Sequence, residues 1–483
     1  MKKLIIITSP LYVRNYVDTS AFKKIIDENT FIACTSDISN KKSIVNDANF
    51  VGEFESSNLN KSLYTFFTLL IMYSKRKVGK GFYFYFKIRH TTIYYPSLRL
   101  KNKVDQWFPN KLINYIIILI LEFSRPFFHP LSLFKFLLIV LIDFLGLTKK
   151  LVKVYNLLLN NNKELQSIIE KVNPDLVLVP NGGLDPNAHE VLALSAQNNF
   201  KTMLLIDNWD NLCSKASFPI EPDYLCVWGD QAKLHAKEFH QIDSSRVFLA
   251  GTPRFDGYQV YNQNEASLKE KYQEILSFPY ILFAGCWPAF DEIGVLEALN
   301  KLVEKYKNLL PKNCKILYRP HPWGESYDKL DELTAKNLKN IAIDPQMAKK
   351  SRPLDWTKRT DFQPDLDYYP ILLDNSEFVI CPLATIIIEA SLMGKKVLAL
   401  AHDDGKNFLN PSFLYKNSDY FDHLSDIGSV KLLDNIMNLD ESFNQMITSD
   451  AIVNRKALSY YIVDEGQLYH DRIANICDKL LLN

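Results

Sequence analysis

The chain has 483 residues, which is too many for one ordinary hydrophobic core, so its length predicts two or more domains. Apolar residues make up 47% of it and aromatic residues 13%, enough to build large buried cores. The formal net charge of +1 excludes a general electrostatic affinity for nucleic acids, and we expect no nucleic-acid partner.

In the N-terminal half, strand-like apolar runs alternate with helical patterns. The predicted strands are Leu4–Thr8, Phe31–Thr35, Asp175–Val179, Lys201–Ile206, Tyr224–Trp228 and Val247–Ala250. Helical patterns such as 162–172 and 187–198 lie between them. Continuous Val, Ile and Leu runs separated by helices are typical of a parallel sheet covered on both faces. We therefore predict one Rossmann-like domain over residues 1–254.

Cysteine usage predicts a cytoplasmic protein. The seven cysteines are scattered along the chain without a CxxC pair, and several stand inside apolar runs, where a free thiol behaves as a small hydrophobe. The apolar run at the N-terminus is too short for a signal peptide and has no cleavage site after it, so we assign it to the first strand.

Residues 61–153 interrupt the alternation. This insertion holds 16 basic and 3 acidic residues, together with the aromatic cluster 82–86 and the apolar runs 116–121 and 136–142. Neither run approaches the roughly 18 apolar residues expected of a spanning helix. Two interpretations are favoured: an element lying on an anionic membrane surface, or a helical insertion buried against the N-terminal sheet. A tight helical hairpin that spans the membrane also stays open.

After Arg254 the sequence becomes polar, and residues 255–278 are interpreted as a linker. The alternation then restarts, with predicted strands at Tyr280–Ala284, Lys315–Tyr318, Phe378–Cys381 and Lys396–Leu400. We predict a second Rossmann-like domain over 279–465 and a terminal helix over 466–483. The predicted fold class is α/β, with the two domains facing across a cleft.

Polar groups follow two of the strands predicted in the second domain. Arg319 and His321 come directly after one strand, and prolines flank His321. Open α/β sheets bind ligands at the carboxyl ends of their strands, where an Arg and a His supply donors for phosphate. The alternative is an ordinary loop in which His321 caps a backbone group.

The second strand end opens a helix. Its N-terminal N–H groups attract phosphate, and Thr385 adds a hydroxyl there. Glu389, four residues on, lies on the same helix face and is placed to accept from ribose hydroxyls. The alternative for Glu389 is a surface carboxylate on an amphipathic helix. Gly285 permits close backbone approach to the donor, and Arg254 either reaches a phosphate or clamps the hinge between the domains.

A group-transfer enzyme also needs a base, and the first domain offers three carboxylates. Asp210 is the first choice, followed by Asp207 and Asp185, because each stands in a polar turn after a predicted strand. The alternative is turn and helix-cap chemistry, in which Asp serves routinely.

Several signatures are missing from the sequence. It has no GxxxxGK[ST] loop, no GxSxG elbow, no HExxH motif and no Asp-x-Asp pair after a strand. We therefore predict neither a metal nor a cofactor beside a nucleotide-activated substrate.

Four stretches carry a resemblance to a known family: Cys226–Lys233, Ala250–Asp256, Arg319–Pro322 and Cys381–Val397. Over roughly residues 175–400 the chain resembles GT-B glycosyltransferases of bacterial surface and capsular polysaccharide biosynthesis. It is similar to the CDP-glycerol glycerophosphotransferase-like group with its His-Pro motif. The resemblance implies that His321 and Thr385 contact donor phosphate and that Glu389 contacts the ribose or base.

One residue departs from that family pattern. Arg319 stands where the related enzymes usually have Lys, so donors of the CMP or CDP type and of the UDP or GDP type both stay open.

Three interpretations of function follow. The first is a metal-independent glycosyltransferase that moves a sugar from a nucleotide donor to a lipid-linked or polysaccharide acceptor, peripheral at the inner face of the cytoplasmic membrane. The second is a UDP-sugar 2-epimerase, although the paired glycines of that enzyme are absent at Leu383-Ala384. The third is a non-catalytic, membrane-associated assembly protein.

Overall fold

The structure is a computed structural model that describes residues 1–38, 44, 47–89, 113, 116–117, 130–159, 162–286, 290–322, 330–348, 363–407, 410–463 and 466–481. Most of the apolar run 116–121 therefore lies outside the described residues. The chain divides into two compact units. Unit 1 comprises Met1–Pro253, Asn417–Tyr420 and Tyr469–Asn483, and unit 2 comprises Arg254–Lys416 and Phe421–Leu468.

Unit 1 contains a seven-stranded parallel sheet. Its strands are β1 (Lys3–Ile7), β2 (Thr30–Thr35), β3 (Phe50–Phe54), β4 (Leu176–Asn181), β5 (Lys201–Ile206), β6 (Tyr224–Val227) and β7 (Val247–Leu249). They are arranged in the order β3-β2-β1-β4-β5-β6-β7.

Both faces of this sheet are covered. The longer helices before β7 are α1 (Asn58–Ser74), α2 (Lys80–Arg89), α3 (Pro130–Phe144), α4 (Thr148–Leu158), α5 (Lys163–Val172), α6 (Pro186–Ser195) and α7 (Asp230–His240). The second face is covered by residues 12–38 and 44 and by the last helix of the chain. Leu4 and Ile6 of β1 belong to one core with residues of α5, α6 and α7. Ile5 and Ile7 belong to a second core on the other face. Successive side chains of a strand alternate between faces, so a doubly covered strand is apolar throughout.

Unit 2 contains a six-stranded parallel sheet in the order β10-β9-β8-β11-β12-β13. Its strands are β8 (Tyr280–Ala284), β9 (Lys315–Arg319), β10 (Ile341–Ile343), β11 (Ser376–Pro382), β12 (Val397–Leu400) and β13 (Val430–Leu433). Its helices are α8 (Tyr261–Lys271), α9 (Glu292–Lys305), α10 (Leu330–Ala335), α11 (Tyr368–Asp374), α12 (Ile386–Leu392), α13 (Pro411–Lys416), α14 (Leu439–Thr448) and α15 (Arg455–Ser459).

These two sheets confirm the predicted α/β fold class with two Rossmann-like domains. The sequence pattern missed β3, β10 and β13, each of which is an edge strand of its sheet. Their side chains are mostly half-buried, so they lack the continuous apolar run that marks a doubly covered strand.

The segment 255–278 belongs to unit 2, where it is largely helical. The hydroxyl of Tyr261 donates to Asp374 at 3.0 Å, and that of Tyr272 donates to Asp367 at 2.5 Å. These bonds tie the segment to α11 and the residue that precedes it, so it is packed structure within unit 2.

The last helix, α16 (Tyr469–Leu481), returns to unit 1. Tyr469, Ile473 and Cys477 are buried in the core that contains Ile5 and Ile7 of β1. A long stretch of unit 2 therefore separates this helix in sequence from the sheet that it covers.

In each sheet the chain adds strands first toward one edge and then toward the other, and this reversal occurs at one pair of neighbouring strands. In unit 1 the chain order reverses between β1 and β4, and in unit 2 between β8 and β11. A crevice opens outside the carboxyl ends of the strands at such a topological switch point, and ligands of open α/β sheets bind there.

No single helix in the described part of the chain is long and apolar enough to cross a membrane. By length and composition alone, one bent pair passes that test together, Leu131–Phe144 with Thr148–Leu157, at an angle of 111°.

The turn after β4 packs tightly against segment 211–217. The side-chain amide of Asn211 donates to the Gly182 carbonyl at 2.6 Å, and the Ser217 N–H donates to the Gly183 carbonyl at 3.1 Å. Gly183 has a φ of +82°, and a Cβ built on it would lie 2.4 Å from the Cβ of Ala216. Only glycine fits there without displacing the neighbouring backbone.

We predict that Gly183→Ala destabilises unit 1 by about 3 kcal/mol or more, because overpacking adds to left-handed backbone strain. Urea denaturation followed by tryptophan fluorescence measures the loss. Gly146→Ala is the matched control, since Gly146 has a φ of +67° with nothing within 4 Å of its Cβ position. It should cost only about 1 kcal/mol. Equal losses in the two variants would contradict the tight packing at Gly183.

Candidate functional site

The switch point of unit 1 gathers side chains from β1 and β4. The Thr8 hydroxyl, directly after β1, donates to the carboxylate of Asp185, which follows β4. The other carboxylate oxygen of Asp185 accepts from the Asn187 N–H at 2.9 Å and caps α6. Asp185 therefore performs the cap role that the sequence left open, and it does so at the position where a ligand would bind.

The surroundings of Asp185 disfavour its charged form. Burial raises the pKa of Asp185 to about 6, although the Thr8 hydroxyl and the Asn187 N–H act in the opposite direction. A carboxyl group with a pKa near neutrality exchanges protons at physiological pH, as a general base must.

Tyr12 lies at the same switch point, and Asp207 follows the neighbouring strand β5. The side-chain amide of Asn15 donates to Asp207 at 3.1 Å, and the Gly182 N–H donates to the Tyr12 hydroxyl at 2.7 Å. Burial, Asp207 and Asp185 together raise the pKa of Tyr12 well above its ordinary value. Tyr12 thus stays protonated close to both carboxylates and can donate a hydrogen bond.

Asp210 is held in an internal ion pair. Its Oδ2 lies 2.6 Å from Lys215 Nζ, and its side chain is only 7% exposed. Burial lowers the pKa of Lys215, but Asp210 and Tyr85 together outweigh it, so the net shift is upward and the lysine stays charged. Asp210 is thus already engaged by a cation within unit 1, whereas Asp185 accepts from a hydroxyl and a backbone N–H, and the role of Asp210 as the base stays a prediction.

A small polar cavity adjoins Asp185. Its volume of about 10 Å³ suits one water molecule. His189 and Ser217 also line it, and among the residues that the structure describes, neither the buried His189 ring nitrogens nor the Ser217 hydroxyl has a hydrogen-bond partner. Burial lowers the pKa of His189 to about 3, so this imidazole is neutral. A water in the cavity would have several partners beside Asp185.

In unit 2, Gly285 stands at the switch point, directly after β8. Its N–H donates to the Arg319 carbonyl at 2.8 Å. A Cβ on Gly285 would lie 2.7 Å from a carboxylate oxygen of Glu292. Glu292 is buried and accepts from the Cys286 N–H at 2.9 Å and the Tyr318 hydroxyl at 2.6 Å. The close approach expected at Gly285 is therefore made by an internal carboxylate, and the donor contact proposed for Gly285 stays a prediction.

Arg319 is oriented from two sides. Its Nη2 donates to the Tyr369 hydroxyl at 2.5 Å, and its guanidinium lies 4.4 Å from the centre of that ring. Its Nε lies 3.6 Å from Asp344 Oδ2. The guanidinium is thus fixed in position, and its charge is partly balanced within the unit.

His321 is neutral near pH 7. Burial and the adjacent Arg319 guanidinium lower its pKa to about 3. An uncharged imidazole donates through one ring N–H, so any phosphate contact by His321 would be a single neutral hydrogen bond.

Glu389 joins a cluster with Tyr258, Arg254 and Arg319. The Tyr258 hydroxyl donates to Glu389 Oε2 at 2.6 Å. Burial and Glu389 raise the pKa of Tyr258 well above its ordinary value, whereas Arg254 lowers it. Glu389 also contributes to raising the pKa of Arg319, against the effect of burial. The structure thus brings three residues singled out separately in the sequence into one electrostatic cluster.

Thr385 occupies the N-cap position of α12, but its side chain makes no capping hydrogen bond. It lies one turn before Glu389. Its hydroxyl contact to a donor phosphate stays a prediction.

Sequence reasoning missed the partners of these residues: Tyr258, Tyr369, Asp344 and Glu292 in unit 2, and Thr8, Tyr12, Asn15 and His189 in unit 1. Asp344 follows β10, a three-residue edge strand that periodicity does not detect. Had β10 been recognised, the rule that placed Arg319 at a strand end would have placed Asp344 beside it.

No family model matches the chain, and no curated protein matches it either. Several solved structures, in contrast, match the chain. The UDP-GlcNAc 2-epimerase of Methanocaldococcus jannaschii aligns over 99% of this chain and 100% of its own, with 11% identity and a TM-score of 0.51. The UDP co-structure of MnaA from S. aureus aligns over 100% of this chain and 97% of its own, with 13% identity and a TM-score of 0.50.

A structure of the wall teichoic acid polymerase TagF aligns over 64% of this chain and 73% of its own, with 14% identity and a TM-score of 0.39. At these identities the likeness concerns the fold, and the TagF match is too distant to support an argument. The chain has the two-domain α/β fold of the GT-B type, as predicted.

We predict that Asp185→Asn stabilises the protein at neutral pH. The folded pKa of about 6 lies above the ordinary 3.8, so ionisation costs stability as pH rises from about 4 to 6. Removing the charge should regain about 2 kcal/mol at pH 7.5 and almost nothing at pH 4. Thermal unfolding at the two pH values measures the difference.

Asp243→Asn is the matched control for that measurement. Asp243 also caps a helical turn, but the Ser245 N–H and hydroxyl lower its pKa. Its variant should therefore lose stability at neutral pH and change little at low pH. The same sign in both variants would contradict the assignment of Asp185 as a strained, titrating group.

Proposed function

We propose that this chain is a metal-independent glycosyltransferase that takes a sugar from a nucleotide-activated donor. The observation that carries the proposal is the cluster of Arg254, Arg319 and Glu389 beside the switch point of unit 2, together with a near-neutral carboxyl group, Asp185, at that of unit 1. The unit 2 cluster suits binding of a nucleotide, and Asp185 suits removal of a proton from an acceptor.

In this proposal the donor nucleotide binds unit 2. Arg319, oriented by Tyr369 and Asp344, faces the diphosphate, and His321 donates one neutral hydrogen bond to it. Thr385 adds its hydroxyl, and Glu389 accepts from the ribose.

Unit 1 supplies the base. Asp185 accepts the proton of the acceptor hydroxyl as the new glycosidic bond forms and the nucleoside diphosphate leaves. The Thr8 hydroxyl and the Asn187 N–H hold this carboxylate in place. Because the pKa of Asp185 is about 6, most of this carboxyl is ionised and ready to accept at pH 7.

A sugar-nucleotide 2-epimerase is the second candidate. It is favoured by the likeness of fold to UDP-GlcNAc 2-epimerases over nearly the whole length of both chains. Leu383-Ala384, where the paired glycines expected of that enzyme are absent, weighs against it. We propose the transferase because the basic insertion gives the chain an element that soluble nucleotide-sugar epimerisation does not need.

The acceptor in this proposal is lipid-linked or a growing surface polysaccharide, and the enzyme acts at the inner face of the cytoplasmic membrane. The basic, aromatic character of residues 61–153 supports this placement.

We predict that Glu389→Gln and His321→Ala each weaken binding of the cognate nucleotide about tenfold or more. The first removes the charge that strengthens the bond from the ribose hydroxyl, and the second removes a hydrogen bond to the phosphate. Calorimetry with UDP, CDP, CMP and GDP measures the affinity and names the base. Glu377→Gln is the matched control, since Glu377 is exposed on the strand that leads to the same turn. Parent-like affinity in both site variants would refute the site.

A product assay separates the two candidate reactions. We expect label from a radioactive nucleotide sugar to enter a bacterial membrane lipid extract, with transfer lost in Asp185→Asn. In D₂O, a 2-epimerase must break and reform the C2–H bond and would place deuterium at C2 of UDP-GlcNAc. NMR detection of that deuterium would overturn the transferase proposal in favour of the epimerase.

A further inference from the structure

Helices α3 and α4 leave a row of large apolar side chains in solvent. On α3 they recur three or four residues apart and are exposed by 52% to 84%: Leu131, Phe134, Leu137, Leu141 and Phe144. On α4, Val154 and Leu157 are exposed by 48% and 77%. We name these seven residues the apolar row. Contiguous apolar surface of this kind marks contact with a partner or a membrane.

The opposite face of α3 is buried against other helices of unit 1. Ile139 and Ile142 are buried against Leu70 and Met72 of α1 and Phe86 of α2. Helix α3 is therefore apolar on nearly all sides, while unit 1 covers only one of them. A helix with that pattern belongs in a core or against lipid.

Positive charge borders the apolar row. Lys149, Lys150 and Lys153 are exposed on α4. The acid of α3, Asp143, is paired with Arg76 at 2.6 Å. Surface of this composition is complementary to an anionic lipid headgroup layer.

Lys75, which precedes Arg76, does not add to this surface. Lys75 Nζ lies 2.8 Å from His240 Nδ1, and burial lowers its pKa to about 7. Arg76 is paired with Asp143, so Lys77 is the residue of the basic run 75–77 that stays exposed.

We propose that the apolar row and Lys149, Lys150 and Lys153 together form a docking face for an anionic lipid bilayer. The apolar side chains enter the boundary between headgroups and acyl chains, and the three lysines lie at the headgroups. This inference extends the proposed function by naming the partner of the insertion. Its test uses no nucleotide, so its failure and the failure of the proposed transfer reaction are distinguishable.

Sedimentation of the full chain with vesicles tests the proposal. We expect binding to phosphatidylcholine vesicles that contain phosphatidylglycerol, and much weaker binding to phosphatidylcholine alone. Phe134→Gln with Leu137→Gln and Leu141→Gln should lower partitioning to both vesicles about tenfold or more. Lys149→Gln with Lys150→Gln and Lys153→Gln should lower only the binding to anionic vesicles, by about a hundredfold.

Two matched controls come from the surface of unit 2. Leu309, Met437 and Ile452 are exposed by 55% to 82%, and their replacement by Gln should leave binding unchanged. Replacement of the exposed Lys301, Lys307 and Lys312 by Gln should likewise leave vesicle binding unchanged. Vesicle binding that is equal in all four variants would overturn the proposal. So would a parent chain that ignores vesicles but forms a dimer through the apolar row, since a second copy would then be its occupant.

Discussion

All strands in both sheets run parallel, and this constraint decides where the chemistry of the molecule lies. Parallel strands end at one edge, so residues far apart in sequence meet wherever they follow a strand. Thr8 and Asp185 are 177 residues apart and share a hydrogen bond for this reason. Arg319 and Asp344, at the ends of neighbouring strands, form an ion pair for the same reason. The order of the strands in each sheet therefore determines which of these side chains lie close together.

Predictions from sequence succeeded where burial is strongest. Central strands such as β4 and β8 are buried at every position and consist mostly of apolar residues, because both faces are covered, so their sequences show a continuous apolar run. Edge strands such as β3 and β13 are half-exposed and mix polar with apolar residues, so no pattern separates them from loops. The same limit hid the partners of the site residues, because hydrogen bonds such as Tyr258 to Glu389 leave no periodic trace in the sequence.

The choice among the three aspartates shows what local geometry adds to composition. Asp210 looked favourable because polar residues surround it in sequence. In the structure the chain from Asn211 to Lys215 forms a π-helical turn, which brings Lys215 onto the carboxylate five residues earlier. An ordinary helical turn aligns residues three and four apart and would not favour this pair. Asp185, by contrast, is difficult to ionise, because burial, with a smaller effect of Asp37, raises its pKa to about 6.

The return of α16 to unit 1 has a consequence for synthesis on the ribosome. The side of β1 that carries Ile5 and Ile7 is covered only in part, by residues 12–38 and 44, until residues 469–481 have been translated. Because domains fold as units as they emerge, unit 2 can complete its sheet while unit 1 still lacks part of one layer. The nascent chain therefore leaves part of an apolar face open for most of its synthesis, and a chaperone that shields it until α16 arrives would protect it from aggregation.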